Sequence, residues 1–381
     1  MNDAQRHLYV HVPFCDGKCA YCAFYSERWR RPAAEAFLDA LARELDLRLA
    51  RGARPRPETI YCGGGTPAVL PADQLARLCA LLAARCDLRR LREWTLEANP
   101  GSFTPPRAER AAAAGVTRVS LGAQCFDDAV LRALGRRHTV RDIARSVRLL
   151  RAAGIPRLGI DLIAGLPGLS APAWERTLEQ CLALAPDHVS VYALTLEPRT
   201  PLREWVRRKR VRLPTADEQT AALERAEAVL SRAGWRRYEI SNYARPGAEC
   251  RHNLAFWRGG DYLGFGPAAA SREGRCRRLN RPSLARYIAA LRAGREPPAA
   301  RETLTPAQDA AERLAFAFRL AEGVPLERFC RRFAVPSCQR QRWLASLERW
   351  QRHGIAVQRG ARWQLTARGR DLADAVAAEL L

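Results

Sequence analysis

The stretch that decides the fold reads LYVHVPFCDGKCAYC and covers residues 8–22. Its first half is an apolar run of strand length, and its second half places Cys15, Cys19 and Cys22 in one short loop. Three thiolates at this spacing can bind three irons of a four-iron cluster and leave the fourth iron open to a ligand. Zinc, which normally needs a fourth nearby ligand, and three unrelated thiols are the alternatives. The spacing favours an iron–sulfur site.

Strand and helix patterns alternate through the first two-thirds of the chain. Apolar runs predict six strands: His7–Val12, Glu58–Cys62, Glu93–Glu97, Arg118–Gly122, Arg157–Ile163 and Val189–Leu194. Amphipathic stretches between them predict helices over Ala34–Ala50, Ala72–Arg85, Val140–Ala153 and Pro172–Leu184. Repeated strand–helix units imply parallel strands with right-handed crossovers. Six such units predict an α/β fold, a partial (β/α)6 barrel with its chemistry at the C-terminal ends of the strands.

The rest of the chain predicts two further parts. A helix over Ala216–Ala233 leads to a strand at Arg236–Ile240, and the Gly- and aromatic-rich stretch Ser241–Ser271 is interpreted as a loop across the barrel mouth. The Pro- and Gly-containing stretch Ala293–Arg301 predicts a linker, and helices followed by two short strands predict a winged-helix-like module beyond it. We expect a barrel over 1–235, a capping segment over 236–292 and a C-terminal, mostly helical domain over 293–381.

Composition and charge indicate which kinds of partner to expect and in which compartment the protein works. The formal net charge is +23, but Lys occurs only at Lys18 and Lys209, and the arginines are spread along the chain rather than focused in one stripe. We therefore do not expect nucleic acid as a partner. The sequence has no long apolar run and no secretory signal near Met1–Tyr9, which predicts a cytoplasmic protein.

Nine further cysteines are scattered without paired spacing: Cys62, Cys79, Cys86, Cys125, Cys181, Cys250, Cys276, Cys330 and Cys338. In a reducing compartment we interpret most of them as small core hydrophobes.

A glycine-rich turn, YCGGGTP over residues 61–67, follows the second predicted strand. Consecutive glycines let the backbone approach a ligand closely through unhindered N–H and C=O groups. Such a turn can also be an ordinary tight connection. Its place one strand–helix unit after the three cysteines favours the ligand-binding interpretation.

The chain resembles the radical S-adenosylmethionine superfamily, in the branch of oxygen-independent coproporphyrinogen III oxidase and the HemW-type heme chaperones. The resemblance runs almost end to end and is carried by the residue 8–15 strand, the glycine turn and four further motifs. These motifs are LEANP (residues 96–100), SLGAQ (120–124), GRRH (135–138) and DLIAGLP (161–167). The family implies a [4Fe–4S] cluster on Cys15, Cys19 and Cys22.

The resemblance also implies which residues contact S-adenosylmethionine: Tyr9, Gly64, Gly65, Thr66, Glu97, Gln124, Arg136 and Asp161. The glycines and the threonine would meet the methionine amino group, and Tyr9 would lie beside the cluster. Arg136 suits the carboxylate because a guanidinium donates two parallel hydrogen bonds to it. The acidic and amide side chains would hold the ribose or the amino group. A buried, internally bonded Asp161 and a surface Arg136 are the alternatives.

Three features separate the chaperone from the oxidase. Only 14 residues precede Cys15, and Phe24 stands where the oxidase carries a further cysteine. The sequence RHNLAFW over residues 251–257 resembles the chaperone's His-Asn-x-x-Tyr-Trp segment, which is associated with heme binding. The resemblance implies heme contacts from four residues: His252, Asn253, Phe256 and Trp257. Phe256 replaces the family's tyrosine, and a loop-bonded His252 or a core Trp257 is the alternative.

The resemblance therefore implies a chaperone that binds the cluster, S-adenosylmethionine and heme. Its partners would be heme, hemoprotein acceptors including membrane-associated respiratory enzymes, and an electron donor. Coproporphyrinogen III oxidation is the first alternative, and a radical enzyme acting on nucleic acid is a third reading suggested only by charge and the C-terminal module. Whether S-adenosylmethionine is cleaved in the working cycle stays open at this point.

Overall fold

The computed structural model describes residues 6–49 and 54–381. The predicted end of the first helix, Ala50, lies outside the described residues. The strands are β1 (His7–Val12), β2 (Phe14–Cys15), β3 (Glu27–Arg28), β4 (Thr59–Gly64), β5 (Glu93–Ala98), β6 (Arg118–Gln124), β7 (Arg157–Ala164), β8 (His188–Ala193), β9 (Arg236–Arg237), β10 (Asn242–Ala244), β11 (Leu263–Phe265), β12 (Ala270–Glu273), β13 (Cys276–Asn280), β14 (Ala299–Thr303), β15 (Ala356–Arg359) and β16 (Arg362–Leu365).

Helices connect these strands and form most of the C-terminal part. Short 3₁₀ turns occur at Pro67–Val69 and Leu88–Arg90. The α-helices are α1 (Arg31–Leu49), α2 (Ala72–Arg85), α3 (Pro105–Ala113), α4 (Asp128–Ala133), α5 (Val140–Ala152), α6 (Ala171–Ala183), α7 (Pro201–Arg207), α8 (Ala216–Arg232), α9 (Arg251–Trp257), α10 (Leu284–Arg292), α11 (Pro306–Ala317), α12 (Leu326–Arg332), α13 (Ser337–Arg352), α14 (Ala367–Asp371) and α15 (Ala373–Leu380).

The sheet confirms the predicted barrel class. Within the described residues, nine strands lie in the order β11-β1-β4-β5-β6-β7-β8-β10-β9. The six strands from β1 to β8 in this order are parallel, and each follows its neighbour through a helical crossover. All six predicted strands are present, with ends within two residues of the prediction. This is a partial (β/α)6 barrel, because the sheet curves through six units and does not close.

The stretch predicted as a loop contains regular structure. Strand β10 pairs antiparallel with β8 at one side of the sheet, and β11 pairs parallel with β1 at the other. Helix α9 lies between these two strands in the sequence. Strands of three residues are too short to show an alternating pattern, which is why periodicity did not reveal them.

Burial separates the two faces of each barrel strand. In β1, Leu8, Val10 and Val12 are fully buried and pack beneath the surrounding helices in one continuous core. The alternate residues Tyr9 and His11 point to the barrel interior and contact each other there. Apolar residues thus hold the sheet to the helices, and polar residues fill the interior.

The C-terminal part has its own apolar core. Trp343, Leu347 and Trp350 of α13 pack with Trp363 of β16 and with residues of α11, α12 and α15. The antiparallel hairpin β15–β16 follows the helices, so the predicted helical, winged-helix-like character is confirmed. The predicted linker Ala293–Arg301 is only partly irregular, because its last residues belong to β14 and pair with β13.

Two simpler expectations also have outcomes. Of the nine scattered cysteines, seven are buried and two, Cys276 and Cys338, are exposed, which agrees with a core role for most of them. Across residues 6–49 and 54–381, we find no helix with the length and apolar character needed to cross a membrane.

Candidate functional site

The three cysteines share one loop directly after β1. Cys15 ends β2, which pairs in parallel with β3, and the Cys22 N–H donates to the Cys19 carbonyl at 3.2 Å. The Ala20 N–H donates to the Leu134 carbonyl at 2.9 Å, which fixes the loop against the segment after α4. All three thiols are free and partly accessible to solvent. The loop therefore presents its sulfur atoms at the C-terminal end of the barrel.

Thr66 and Asn99 join the cysteine loop to the next two strands. The Cys15 sulfur lies 2.9 Å from the Thr66 hydroxyl, and the Asn99 amide donates to that hydroxyl at 3.1 Å. The Thr66 N–H also donates to the Phe14 carbonyl at 2.6 Å. Asn99 lies in the LEANP motif, for which the sequence predicts no role of this residue. In the structure it is a central contact of the site.

The glycine turn packs tightly against the same loop. A side-chain carbon at Gly65 would lie 2.7 Å from the Val12 carbonyl oxygen, so only glycine fits there. Gly64 has φ of +95°, which favours glycine, and a side chain there would overlap the His11 ring. The N–H groups of Gly64 and Gly65 donate to Glu97 and Val12, at 3.1 and 3.0 Å. These donors serve the protein itself, which differs from the unhindered N–H groups expected from the sequence.

Arg136 lies buried beside the thiols and not on the surface. Its guanidinium donates to the Cys19 sulfur at 3.5 Å, to the Asn99 side-chain oxygen at 2.9 Å and to the Gly122 carbonyl. Its Nε has no hydrogen-bond partner within the described residues. A buried cation with an unused donor next to thiols is suited to receive an anionic group.

A strained strand end lies under Arg136. Gln124 ends β6 with φ of +70°, and the register with β7 shifts between Gly122 and Gln124. A side-chain carbon at Gly122 would lie 2.8 Å from the Gln124 amide nitrogen. Non-glycine residues in this backbone region are concentrated at functional sites because the surrounding structure must enforce the strain. The geometry brings Gln124, Arg136 and Asn99 together as a group.

The donor set fits a four-iron cluster. Burial, and after it the charges of Asp16, Cys19 and Cys22, raise the pKa of the Cys15 thiol. Within the described part of the chain, no three His, Cys, Asp or Glu side chains converge as ligands of one metal ion. Each thiolate of a four-iron cluster binds a different iron, so its ligands surround a volume and do not meet at a point. The three neighbouring thiols match that requirement better than they match zinc.

Two carboxylates project into the barrel interior below the site. Glu97 accepts from the Tyr61 hydroxyl at 2.7 Å, and burial raises its pKa to about 7. Asp161 accepts from the Ser120 and Ser190 hydroxyls at 2.9 and 2.7 Å, and burial raises its pKa as well. The present contacts of Asp161 therefore match the alternative expectation, which is a buried carboxylate with hydrogen bonds inside the protein.

Rings form a column through the barrel interior. The centroids of Tyr9 and Tyr61 are 6.2 Å apart, and those of Tyr61 and His252 are 5.2 Å apart. His11 lies 6.2 Å from Tyr9 on the other side and borders the glycine turn. The column joins the cysteine end of the barrel to the helix that carries His252. Tyr61 was quoted in the glycine-turn motif without a role.

His252 lies at the opposite end of the barrel from the cysteines. Its Nδ1 is 2.8 Å from the hydroxyl of Thr59, the first residue of β4, whereas Gly64 at the other end of β4 borders the cysteine loop. Five residue steps along a strand span about 17 Å. Burial lowers the pKa of His252 to about 4, so its imidazole is neutral. A neutral ring nitrogen is the form that binds a metal.

Glu93 holds the helix that carries His252. Its carboxylate accepts from the backbone N–H groups of Arg251 and His252, each at 3.0 Å, and from the Arg118 guanidinium at 3.1 Å. The Cys250 thiol is 3.3 Å from the same carboxylate. Glu93 thus caps the first turn of α9 from a distant strand, a role that sequence spacing could not reveal.

The aromatic residues of the heme-associated segment contact different partners from those of His252. Phe256 stacks on Phe316 of α11 with centroids 5.2 Å apart, and Trp257 packs edge-on against the same ring at 5.8 Å. The Arg319 guanidinium lies 4.8 Å from the Trp257 ring. Asn253 is half-buried in the first turn of α9. The structure therefore separates His252, in the interior, from the two aromatic rings, which pack on the C-terminal module.

Phe24, which stands at the position of the oxidase's further cysteine, is 70% exposed. Its carbonyl accepts a hydrogen bond from Lys18 within the cysteine loop. The position is therefore beside the candidate cluster site and open to solvent.

Comparison with known proteins identifies the family of the chain. Residues 9–181 match the radical SAM superfamily, and residues 304–372 match the HemN C-terminal domain. A heme chaperone HemW from Mycobacterium tuberculosis is 37% identical over 377 residues, covering 98% of this chain and 94% of that protein. The heme chaperone HemW from Bacillus subtilis is 31% identical over 332 residues, covering 86% of this chain and 87% of that protein.

A solved structure shows the same fold. The coproporphyrinogen III oxidase HemN from Escherichia coli aligns with a TM-score of 0.84 at 24% identity, covering 98% of this chain and 89% of that one. The similarity to the chaperones is higher in sequence and extends over nearly the whole chain. The chain belongs to the HemW heme chaperone family of the radical SAM superfamily.

Proposed function

We propose that this protein is a heme chaperone that holds a [4Fe–4S] cluster, S-adenosylmethionine and heme, and that delivers heme to hemoproteins of the respiratory chain. The observation that carries the proposal is 37% identity to a heme chaperone over 98% of the chain. We further propose that it works in the cytoplasm and that its acceptors include membrane-associated enzymes. An electron donor would be needed to reduce the cluster.

The first part of the proposal concerns the cluster. Cys15, Cys19 and Cys22 would each bind one iron, and the fourth iron would stay open to S-adenosylmethionine. A reduced cluster of this type can supply an electron that splits the sulfonium of S-adenosylmethionine. The partly accessible thiols and the nearby Arg136 support this assignment, because a guanidinium stabilises anionic sulfur.

The second part concerns S-adenosylmethionine. Arg136 would receive the carboxylate through its unpartnered Nε, and Gly64, Gly65 and Thr66 would line the amino group. Gln124, Glu97 and Asp161 would accept or donate hydrogen bonds to the ribose, with Tyr9 beside them. The crowding of Arg136, Asn99 and Gln124 around Gly122 supports this, since it places several polar groups at one strand end.

The third part concerns heme. His252 would bind the iron as a neutral imidazole, with Asn253, Phe256 and Trp257 on the same helix. Its present ring contacts, Thr59 and Tyr61, hold it in place and would have to permit approach of the macrocycle.

Coproporphyrinogen III oxidation is the alternative, and one position weighs against it. The oxidase has a further cysteine two residues after the third, and this chain has Phe24 there. Phe24 can neither bind iron nor donate a proton. The two functions would then share the cluster but not the porphyrin chemistry.

The test is a pair of anaerobic titrations of the cluster-loaded protein. We expect a shift of the Soret band on adding heme, and no vinyl product on adding coproporphyrinogen with S-adenosylmethionine and a reductant. The His252→Ala variant should weaken the heme response, with His353→Ala, on the C-terminal module, as its matched control. Absence of a Soret shift in the wild-type protein would overturn the chaperone proposal, and vinyl product would establish the oxidase instead.

A further inference from the structure

A groove of about 560 Å³ opens beside α9 at the N-terminal end of the barrel. Its walls come from β1, β4 and α9 of the barrel part and from α11 and the end of α12 of the C-terminal module. This volume is in the range of pockets that hold ligands of drug size. The groove is separate from the cysteine loop, which lies at the other end of the strands.

Arginines dominate the charge of the groove. Six of its lining residues are arginines, and only two are acidic: Arg6, Arg92, Arg251, Arg258, Arg313, Arg332, Glu58 and Asp261. Glu58 forms an ion pair with Arg6, and Asp261 with Arg313. Arg258 and Arg313 also pair with Glu322 and Asp309, so the excess positive charge of the groove lies on its other arginines.

Three of these arginines, Arg92, Arg251 and Arg332, form no ion pair within the described residues, and the first two have adjoining backbones. Arg92 and Arg251 are exposed, and neither forms an ion pair with any residue in 6–49 or 54–381. Their backbones are fixed next to each other, because Arg92 directly precedes Glu93 and the Arg251 N–H donates to the Glu93 carboxylate. Because neither guanidinium forms an ion pair, both can donate hydrogen bonds to an anionic ligand at this end of the barrel.

Three residues give one part of the groove wall an apolar surface, whereas His7 and Thr59 add polar groups. Leu254 and Ala255 lie one turn after Arg251 on the same face of α9, and Phe333 faces them from the C-terminal module. The ligand that fits is therefore amphipathic, with an apolar body and carboxylate groups at one edge. A phosphate chain would leave the apolar wall uncovered.

The groove is next to the residue proposed to bind the heme iron. Thr59 lines the groove, and its hydroxyl lies 2.8 Å from His252 Nδ1. Arg251 is the residue before His252 on α9. An iron porphyrin bound near His252 would thus have the arginine pair within reach of its edge.

We propose that Arg92 and Arg251 bind the two propionate groups of the heme cargo in this groove, an inference that rests on the heme-chaperone function proposed above. The pair would orient the macrocycle with its carboxylates towards the barrel end and its apolar edge towards Leu254 and Phe333. The arginine pair would add a carboxylate-binding site to the imidazole of His252. Selectivity for the cargo would then depend in part on its carboxylates.

The test compares heme with its dimethyl ester, in which both propionates are blocked, by Soret titration of the cluster-loaded protein. The wild-type protein should bind heme at least about tenfold more tightly than the ester. The double variant Arg92→Gln/Arg251→Gln should lose that preference and leave the affinity for the ester unchanged. The matched control is Arg141→Gln/Arg148→Gln, which removes the same charge from exposed positions of α5.

Each outcome separates the two proposals. Equal binding of heme and ester by the wild-type protein would overturn the carboxylate site while leaving heme binding intact. The same would follow if the Arg92/Arg251 variant kept its preference, or if the control variant lost it equally through general charge. Circular dichroism melting checks that both variants fold. If wild-type protein gives no Soret shift with either ligand, the chaperone function itself fails, and this inference fails with it.

Discussion

The two ends of the barrel differ in the contacts that their polar side chains make. At the C-terminal end, Cys15, Cys19 and Cys22 are partly accessible, and buried Arg136 has an Nε without a partner. At the N-terminal end, the Glu93 carboxylate accepts four hydrogen bonds, and Thr59 contacts His252. The same strands begin at one end and finish at the other.

The difference shows which end is arranged to receive a ligand and which to hold a helix. A buried donor without a partner, such as Arg136 Nε, is costly in a folded protein unless a bound group accepts from it. At the N-terminal end the four hydrogen bonds to Glu93 fix α9 as a platform, although Arg118 Nη1 there also has no hydrogen-bond partner within the described residues. Ligands at the N-terminal end are therefore expected against the outer face of that helix, where the arginine groove lies, and the cofactor is expected between the strand ends at the other.

The largest expected effect is the loss of iron when a thiol of the loop is removed. Cys19→Ser should reduce the iron bound after anaerobic reconstitution to background, because three thiolates are the minimum that hold the cluster. Iron and sulfide analysis with visible absorption measures this. Cys338→Ser, at an exposed position outside the loop, is the control and should keep full iron. Full iron in the Cys19 variant would refute the loop as the cluster site.

The next effect tests the N-terminal platform. Glu93→Gln leaves the Arg118 charge buried without its carboxylate, and breaking such a pair costs about 3 kcal/mol of unfolding free energy. Urea unfolding followed by tryptophan fluorescence measures it. Asp73→Asn, which breaks an exposed pair with Arg31, should leave the unfolding midpoint unchanged. Equal midpoints for both variants would show that Glu93 does not hold α9.

A smaller effect tests the close packing at the C-terminal end. In Gly65→Ala the new carbon meets backbone oxygens that cannot rotate away, so we expect a loss of about 2 kcal/mol and weaker iron loading. The control lies in the same loop: a carbon at Gly17 would meet only the Arg137 side chain at 3.6 Å. Gly17→Ala should therefore melt like the wild-type protein. If the two alanine variants melt alike, the glycine turn is not packed as described.

The smallest effect concerns pH and the barrel interior. Burial raises the pKa of Glu97 from 4.5 to about 7, so the folded state holds this proton more tightly than the unfolded chain does. Stability from this group is therefore present at low pH and is lost as pH rises through that window. Glu97→Gln should reduce the loss of stability between about pH 5 and pH 7 by about 2 kcal/mol.

Urea unfolding at those two pH values measures the slope. Glu109→Gln, at an exposed position of α3, is the control and should keep the wild-type slope. An unchanged slope in the Glu97 variant would show that this carboxyl is ionised in the folded protein at both pH values.

Sequence patterns predicted the barrel strands because these strands are buried on the side that faces the helices. Runs such as His7–Val12 and Arg157–Ala164 contain consecutive apolar residues, and their ends were predicted within two residues. The three-residue strands β10 and β11 were missed because so short a run has no measurable period. The cysteine spacing is a local signal of the same kind: it predicts three thiols in one loop, which the structure contains, and the cluster on them stays a prediction.

Contacts between distant residues could not be predicted. Glu93 reaches the backbone of His252 across 159 residues, and no local pattern connects the two positions. Asn99 and Tyr61 lay inside recognised motifs, but their partners, Arg136 and His252, depend on how the strands curve. The sequence therefore predicted residues that lie close together along the chain. It did not predict that the candidate site residues are divided between the two ends of the barrel.

The measurement that tests this division most directly is a heme titration of the variant in which Cys15, Cys19 and Cys22 are all replaced by serine. Because the three cysteines lie at the opposite barrel end from His252 and contact none of its direct partners, heme affinity in this cluster-free protein should stay within about threefold of the wild-type value. The Soret band reports it, and circular dichroism checks the fold. Loss of the Soret shift in a folded variant would contradict the account, because it would place heme and cluster in one site.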